Sequence, residues 1–247
     1  MPLATADLDF IRGKFPQVEG WCLEGSAYLT CCLLNAQTAA GCDSAILEIG
    51  VFKGKYLSVL YQKALRSSQR VLGIDTFAWS SSSEVEETFT RVFGTVEGLY
   101  LHTADSSKLD APELISLLGG SKASFISVDG DHQAPGVEYD LKLASEVLSE
   151  GGIIAVDDFL NPMAIGVSEG TYRFFLGPGE PTLRPFAYAA NKLFVAHAKY
   201  HQLYRDSIWS FAAEMPDLPM IQEFERYRKL GPHYVDQDLL GTKVLIL

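Results

Sequence analysis

Four aspartates follow two short apolar segments that lie close together in the sequence. Asp129 and Asp131 come directly after F-I-S-V, and Asp157 and Asp158 follow G-G-I-I-A-V. Apolar runs of this length that end at charged residues are typical of buried parallel strands. The carboxyl ends of such strands open onto the ligand crevice of an α/β sheet, so we expect the four carboxylates to share one edge. Because clustered carboxylates repel one another unless protons or a cation neutralise them, the segment Phe125–Phe159 predicts a chemical site.

A second candidate site is the turn after the first predicted strand, which reads I-L-E-I-G-V-F-K-G and contains Glu48, Gly50 and Gly54. Glycines at a strand-to-helix turn allow a ligand to approach the backbone closely. The spacing differs from the G-x-G-x-x-G pattern of dinucleotide-binding proteins. Glu48 would repel a phosphate but suits a cationic or amine group, so the turn favours a ligand without a pyrophosphate.

The ends of the next two strands carry polar residues that suit a nucleoside. Asp75 ends the second strand, where a carboxylate can accept hydrogen bonds from both hydroxyls of a ribose. Thr76 and Phe77 follow it, and the Phe77 ring is placed either against the adenine or the substrate, or in a core or lid position. Asp105 and Ser106 follow the third strand and could read the adenine edge. The alternative is that these residues are ordinary turn glycines and strand-capping acids of a doubly wound domain.

Composition excludes several classes of protein. The chain has 247 residues and a formal net charge of −11, which argues against nucleic-acid and anionic-membrane partners. The four cysteines (Cys22, Cys31, Cys32, Cys42) match no zinc spacing, and buried free thiols are the expectation. We see neither a signal peptide nor an apolar run near the roughly 20 residues that span a bilayer. We therefore expect a cytoplasmic protein.

The elements that must position these residues alternate regularly from Ser44 onward. We predict strands at Ala45–Gly50, Arg70–Asp75, Gly98–His102, Ala123–Asp129, Gly152–Asp157, Asn191–His197 and Thr242–Leu247. Helices are predicted between them at Lys55–Ser67, Glu84–Phe93, Ala111–Leu118, Gly136–Leu148 and Ser168–Phe175, with Gly177–Pro185 as a turn-rich connector. This βαβ rhythm predicts a parallel sheet with helices on both faces. Residues 1–43 form a predicted helical cap, with helices at Leu8–Phe15 and Gly25–Ala40, and residues 44–247 form the main domain.

The motifs Glu48-x-Gly50-x-x-x-Gly54, Asp75, D-G-D-H and G-G-I-I-A-V-D-D-F together resemble the class I S-adenosylmethionine-dependent methyltransferases. More narrowly, they are similar to the branch that contains the macrolide-sugar and aminocoumarin-sugar O-methyltransferases. The resemblance implies an α/β fold with a seven-stranded, Rossmann-like doubly wound sheet whose last strand is antiparallel. It also implies that S-adenosylmethionine lies over the Gly50 and Gly54 turn, with its ribose on Asp75 and with Asp129 nearby.

The same resemblance implies a Mg²⁺ ion and a general base. The positions that match the family's metal ligands are Asp129, Asp157 and Asp158, and hard oxygen ligands are what Mg²⁺ prefers. Asp131 stands where the family places the base, and His132 is the alternative because its unperturbed pKa lies nearer neutrality.

We therefore expect an enzyme that transfers a methyl group to a hydroxyl of a small molecule, a sugar or another secondary metabolite, with assistance from Mg²⁺. Within enzymes, the alternative is a metal-independent methyltransferase of the same fold in which Asp131 or His132 alone activates the acceptor. An NAD-dependent oxidoreductase and a non-catalytic scaffold are less favoured, because Glu48 sits at the phosphate turn and buried acids are costly without a role. A homo-oligomer is a further possibility.

Overall fold

Nine β-strands form one sheet in the computed structural model, which describes residues 3–178 and 182–247. The strands are β1 (Ala45–Ile49), β2 (Val71–Asp75), β3 (Leu99–Thr103), β4 (Ala123–Val128), β5 (Leu148–Val156), β6 (Leu183–Ala189), β7 (Lys192–His197), β8 (Asp236–Leu239) and β9 (Thr242–Ile246). Their order across the sheet is β3-β2-β1-β4-β5-β7-β6-β9-β8. The strands β1 to β5 pair in parallel, so the ends of β1, β2, β4 and β5 meet at one edge.

The described helices cover both faces of this sheet. They are α1 (Thr5–Asp9), α2 (Glu24–Ala39), α3 (Lys55–Ser67), α4 (Ser82–Phe93), α5 (Ala111–Leu117), α6 (Ala134–Val147), α7 (Ile165–Leu176), α8 (His201–Glu214) and α9 (Pro219–Leu230). One core contains side chains of α2, α3, α4, α8 and α9, and the core on the other face contains those of α5, α6 and α7. None of the helices in the described ranges is both long and apolar enough to cross a bilayer.

The central parallel strands β1, β2, β4 and β5 are buried because apolar side chains cover both of their faces. In β1, Ile46 belongs to one core, whereas Leu47 and Ile49 belong to the other. A continuous apolar run is what a strand covered by helices on both sides requires. This physical constraint is why the α/β fold with helices on both faces was correctly predicted from the sequence.

The antiparallel part of the sheet differs from the prediction in two ways. The strand β6 forms where a turn-rich connector was predicted, and β8 was not predicted at all, so the prediction of seven strands is wrong. The antiparallel strand beside β5 is β7, at the predicted sixth strand, whereas the last strand β9 pairs in parallel with β6. The prediction failed because Pro185 lies inside β6, and proline in a strand normally argues against a strand.

The helical N-terminal region is tied to the sheet by buried polar contacts. The Gln37 amide of α2 donates to the carbonyl oxygens of Ser124, at 2.6 Å, and Gly151, at 3.2 Å. Cys31 and Cys32 on the same helix are buried free thiols, as predicted. The predicted division of the chain at residue 43 stays a prediction.

A buried carboxylate holds α1 against α2 and α3. Asp7 is fully buried and forms an ion pair with Arg66 of α3. The same carboxylate accepts hydrogen bonds from Asn35 at 2.8 Å and from Gln62 at 3.3 Å. Removing one member of a buried ion pair leaves the other without compensation, and this typically costs about 3 kcal/mol or more.

We therefore expect Asp7→Ala to lower the free energy of unfolding by about 3 kcal/mol, measured by urea denaturation. Asp9→Ala is the matched control, because Asp9 lies on the same helix but is exposed. A loss of less than 1 kcal/mol in Asp7→Ala, equal to that of the control, would show that the pair does not anchor α1.

Candidate active site

The turn after β1 lies directly against the end of β4. Gly50 has φ +87°, and a Cβ built there would lie 1.9 Å from the carbonyl oxygen of Asp129. The Asp129 amide donates to the Ile49 carbonyl at 2.8 Å, which fixes this close approach. Gly54 also has a positive φ, +82°, and begins α3 against Val85 and Phe89. The two glycines of the predicted motif are thus required by the local geometry, and they bring the turn beside Asp129.

Asp75 organises the same turn through its carboxylate. Its Oδ2 accepts hydrogen bonds from the backbone amides of Val51 at 2.8 Å and Phe52 at 2.7 Å. Its Oδ1 accepts from the Phe77 amide at 2.7 Å. Phe52 and Phe77 both have positive φ, which is uncommon outside glycine and is typically retained at functional sites. The structure thus places Asp75, Thr76 and Phe77 next to the Gly50 turn, as the nucleoside prediction requires.

At the end of β3, Asp105 starts a short 3₁₀ turn that contains Ser106. The Asp105 carboxylate accepts from the backbone amide and the hydroxyl of Ser107, at 3.0 and 2.7 Å. These bonds hold the pKa of Asp105 below its usual value. The role of Asp105 and Ser106 in binding an adenine stays a prediction.

Glu48 is buried near the carboxyl end of β1, and its Oε2 has no hydrogen-bond partner among the described residues. Burial and the neighbouring Asp129 carboxylate raise the pKa of Glu48 well above its usual range. An orphaned buried acceptor beside the glycine turn is a group that a ligand amine could satisfy.

Three side chains converge where a cation could be held: Asp129, His132 and Asp158. One potential ligand atom of each lies within 4.8 Å of the others. The Nε2 atom of His132 is 3.7 Å from Asp129 Oδ1 and 3.5 Å from Asp158 Oδ2. The interaction with Asp129 raises the pKa of His132, although burial opposes it. The other oxygen of Asp158 accepts from Asn161 at 2.7 Å, so Oδ2 is the oxygen turned to the site.

Asp157, the remaining predicted metal ligand, faces a buried lysine instead. Lys192, the first residue of β7, is 1% exposed, and its Nζ lies 2.7 Å from Asp157 Oδ2. The other oxygen of Asp157 accepts from the Asp158 amide at 2.9 Å. Burial raises the pKa of Asp157, but the Lys192 ammonium, together with hydrogen bonds to Asp129 and to the Asp158 amide, leaves this pKa below its usual value.

Asp131 is exposed and turned toward the start of α6. Its Oδ1 accepts from the Gln133 amide at 3.0 Å, and its Oδ2 lies 2.3 Å from where a Cβ on Gly136 would be. An aspartate in this position stabilises a helix start. Of the two predicted bases, the structure therefore brings His132 next to Asp129 and Asp158.

Sequence reasoning missed three residues at this edge of the sheet. Lys192 was read only as part of a strand, although a lysine that opens the apolar run L-F-V-A is an unusual strand residue. The Trp21 ring, 80% exposed, stacks on Phe52 of the glycine turn with centroids 5.1 Å apart. Asp140 of α6 is 1% exposed, and a Cβ on Gly130 would lie 3.1 Å from its Oδ2.

Burial raises the pKa of Asp140 from 3.8 to about 6, with smaller contributions from Asp131 and Asp105, whereas the Ser106 hydroxyl opposes the rise. The folded protein therefore holds this proton more tightly than the unfolded chain does. Stability from this group is present below about pH 4 and is lost as the pH rises to about 6. The difference between the two pKa values corresponds to about 3 kcal/mol.

We therefore expect Asp140→Asn, relative to the unsubstituted protein, to gain about 3 kcal/mol of stability between pH 4 and pH 8. Urea unfolding at both pH values measures this gain. Asp217→Asn is the control, because Asp217 is exposed and should show no such change. A pH-independent effect of Asp140→Asn would contradict the buried-acid interpretation.

Comparison with known protein families decides the class of this fold. Residues 47–159 match the family model described as a methyltransferase domain. This chain carries a methyltransferase domain. The prediction of an enzyme of the class I S-adenosylmethionine-dependent methyltransferases is confirmed, and the alternative of an NAD-dependent oxidoreductase falls away. A comparison with curated proteins gives no significant match.

Solved structures, among them O-methyltransferases, share the fold at low sequence identity. The O-methyltransferase NovP is 14% identical with a TM-score of 0.58, over 72% of this chain and 83% of NovP. Cofactor-bound Rv0187 from MTB is 14% identical with a TM-score of 0.54, over 78% of this chain and 90% of that one.

The methyltransferase MycE from the mycinamycin biosynthetic pathway, in complex with Mg, SAH and mycinamycin VI, is 16% identical with a TM-score of 0.53. That match covers 77% of this chain and 54% of MycE, so this chain spans about half the length of that protein. These structures are similar to this chain in fold. They include enzymes of the sugar and macrolide branch that the sequence motifs resemble.

Proposed function

We propose that this methyltransferase is an O-methyltransferase that acts on a hydroxyl of a small molecule with the help of a divalent cation. The observation that carries this proposal is the convergence of Asp129, Asp158 and His132 beside the Gly50 turn. Activation of a hydroxyl requires oxygen donors that hold a cation and a group that accepts the proton. At the edge of the sheet beside the Gly50 turn, two carboxylates and one imidazole offer these groups.

The residues around the glycine turn fit S-adenosylmethionine. The glycine at position 50 lets the turn pack against the end of β4, and Glu48 offers a buried oxygen that lacks a partner in the described structure. Asp75 lies at the end of the neighbouring strand, where a ribose would reach its carboxylate. When bound, S-adenosylmethionine supplies a methyl group on a positively charged sulfur, and the acidic edge of the sheet favours that charge electrostatically.

The donors beside this turn also fit a divalent cation. Asp129 and Asp158 would hold it, since Mg²⁺ is usually bound by one or two carboxylates and retains several waters. When bound there, the cation would lower the pKa of an acceptor hydroxyl and orient it. The chain's own contribution is to hold Asp158 in place through Asn161 and Asp129 through the β1–β4 contact.

His132 takes the role of the base in this proposal. Its imidazole lies within 4 Å of both carboxylates and can accept the proton that an acceptor hydroxyl releases. Asp131 instead stabilises the start of α6, as its bond to Gln133 indicates.

The loop after β5 supports an acceptor with an apolar part. It carries Asp158 and, two and five residues later, the exposed apolar side chains Leu160 and Met163. Leu160 has a positive φ of +65°, a strained conformation that holds this side chain outward beside the acids. Action on a sugar or another secondary metabolite, assembly into a homo-oligomer and a cytoplasmic location stay predictions.

The cofactor assignment is tested with Asp75→Ala. We expect the variant to bind S-adenosylhomocysteine more weakly by about 1–3 kcal/mol in calorimetry, because both the ribose and the glycine turn lose a charged acceptor. Asp110→Ala is the control, since Asp110 makes a comparable backbone contact at α5, away from this turn. Unchanged affinity in Asp75→Ala, or tight binding of NAD by the unsubstituted protein, would contradict the assignment.

The base is tested by comparing two neighbouring variants. We expect His132→Ala to lower the rate of methyl transfer roughly 10²–10⁴-fold, the range for loss of a general base, while Asp131→Asn keeps most of the rate. Chelation by EDTA should abolish transfer in the unsubstituted protein, and Mg²⁺ or Mn²⁺ should restore it. The opposite order of the two variants would make Asp131 the base, and full activity after chelation would favour the metal-independent alternative.

A further inference from the structure

The interior beside the acid cluster contains a fixed positive charge. Lys192 is almost completely buried, with its ammonium 2.7 Å from Asp157 and 3.9 Å from the centre of the Tyr56 ring. The Tyr56 hydroxyl is in turn hydrogen-bonded to Thr30 of α2 at 2.7 Å. Both the aromatic face and the carboxylate stabilise a cation, so the ammonium is held in place from two sides.

Both oxygens of Asp157 are engaged by this arrangement. Oδ2 faces Lys192, and Oδ1 accepts from the backbone amide of Asp158. Asp158 has φ +55°, a left-handed backbone conformation that is uncommon outside glycine. The Asp157 carboxylate lies toward Lys192 and Asp129, whereas the Asp158 carboxylate lies toward His132.

We propose that Lys192 withholds Asp157 from the divalent cation of the proposed function, and so leaves Asp129 and Asp158 as its carboxylate ligands. The proposal rests on the proposed function, because it concerns the same cation. Lys192 is a positioning residue, since it acts on the site through Asp157. A positive charge beside the site also weakens the binding of any divalent cation, so the ion is held less tightly than by three free carboxylates.

Lys192→Met tests this inference through metal binding, independently of methyl transfer. The substitution removes the ammonium and frees a carboxylate, so we expect Mn²⁺ to bind about tenfold more tightly or more, measured by calorimetry and by electron paramagnetic resonance. Lys192→Arg keeps the charge and should keep the affinity of the unsubstituted protein. Lys243→Met is the matched control, because Lys243 pairs with Asp238 at a similar 2.8 Å on the exposed β8–β9 hairpin.

The double variant Lys192→Met with Asp157→Asn decides the ligand set even if Lys192→Met alone does not fold. Replacing both partners of a buried pair avoids an unpaired charge, so this variant should fold. We expect it to bind Mn²⁺ within about threefold of the unsubstituted protein, while Asp129→Asn loses tenfold or more. A tenfold loss in the double variant would overturn the inference, because it would make Asp157 a ligand.

Failure of the inference and failure of the proposed function give different results. If Asp157 proves to be a ligand while Mn²⁺ still supports methyl transfer, only the role of Lys192 is wrong. If neither Mn²⁺ nor Mg²⁺ binds the unsubstituted protein or any variant, the cation itself is wrong and the inference falls with it. Weaker Mn²⁺ binding in Lys192→Met than in the unsubstituted protein would also overturn the inference.

Discussion

The crowding of negative charge at one edge of the sheet is the constraint on which the rest of this site depends. Glu48, Asp129, Asp157 and Asp158 are brought together because β1, β4 and β5 are parallel and adjacent. Their mutual repulsion in a partly buried space must be relieved, and each acid is relieved differently. Burial favours the neutral form of Glu48, Lys192 neutralises Asp157, and Asp129 and Asp158 face the imidazole of His132.

This division of charge is the basis of the different roles that we propose for neighbouring acids. A carboxylate that is paired with a fixed ammonium is a structural group. Carboxylates that face a titratable imidazole can bind a cation in its place, or the imidazole beside them can act as a base. The side chain of His132 is about half exposed, while that of Lys192 is 2% exposed. His132, which a cation could replace, therefore lies on the accessible side of the acid cluster. Lys192, which stays paired with Asp157, lies beneath the cluster.

The parallel half of the fold and the convergence of acids at one edge of the sheet could be predicted from the sequence. An apolar segment that ends in an acid predicts where the acid lies. The apolar run indicates a buried strand, and the parallel topology places the end of that strand at the ligand-binding edge of the sheet. In the antiparallel half, β7 and β9 were predicted, but β6 and β8 were not, since β6 contains Pro185 and the polar β8 lacks any apolar pattern. Lys192 and Asp140 were missed for a related reason. Their importance comes from partners that are distant in sequence, and no local spacing signals such a pairing.

The most direct test of this account is a crystal structure with S-adenosylhomocysteine and Mn²⁺, in which anomalous scattering locates the ion. The account predicts one peak bonded to the carboxylates of Asp129 and Asp158, with Lys192 still paired to Asp157. A peak bonded to Asp157, with the lysine displaced from it, would contradict the division of charge described above.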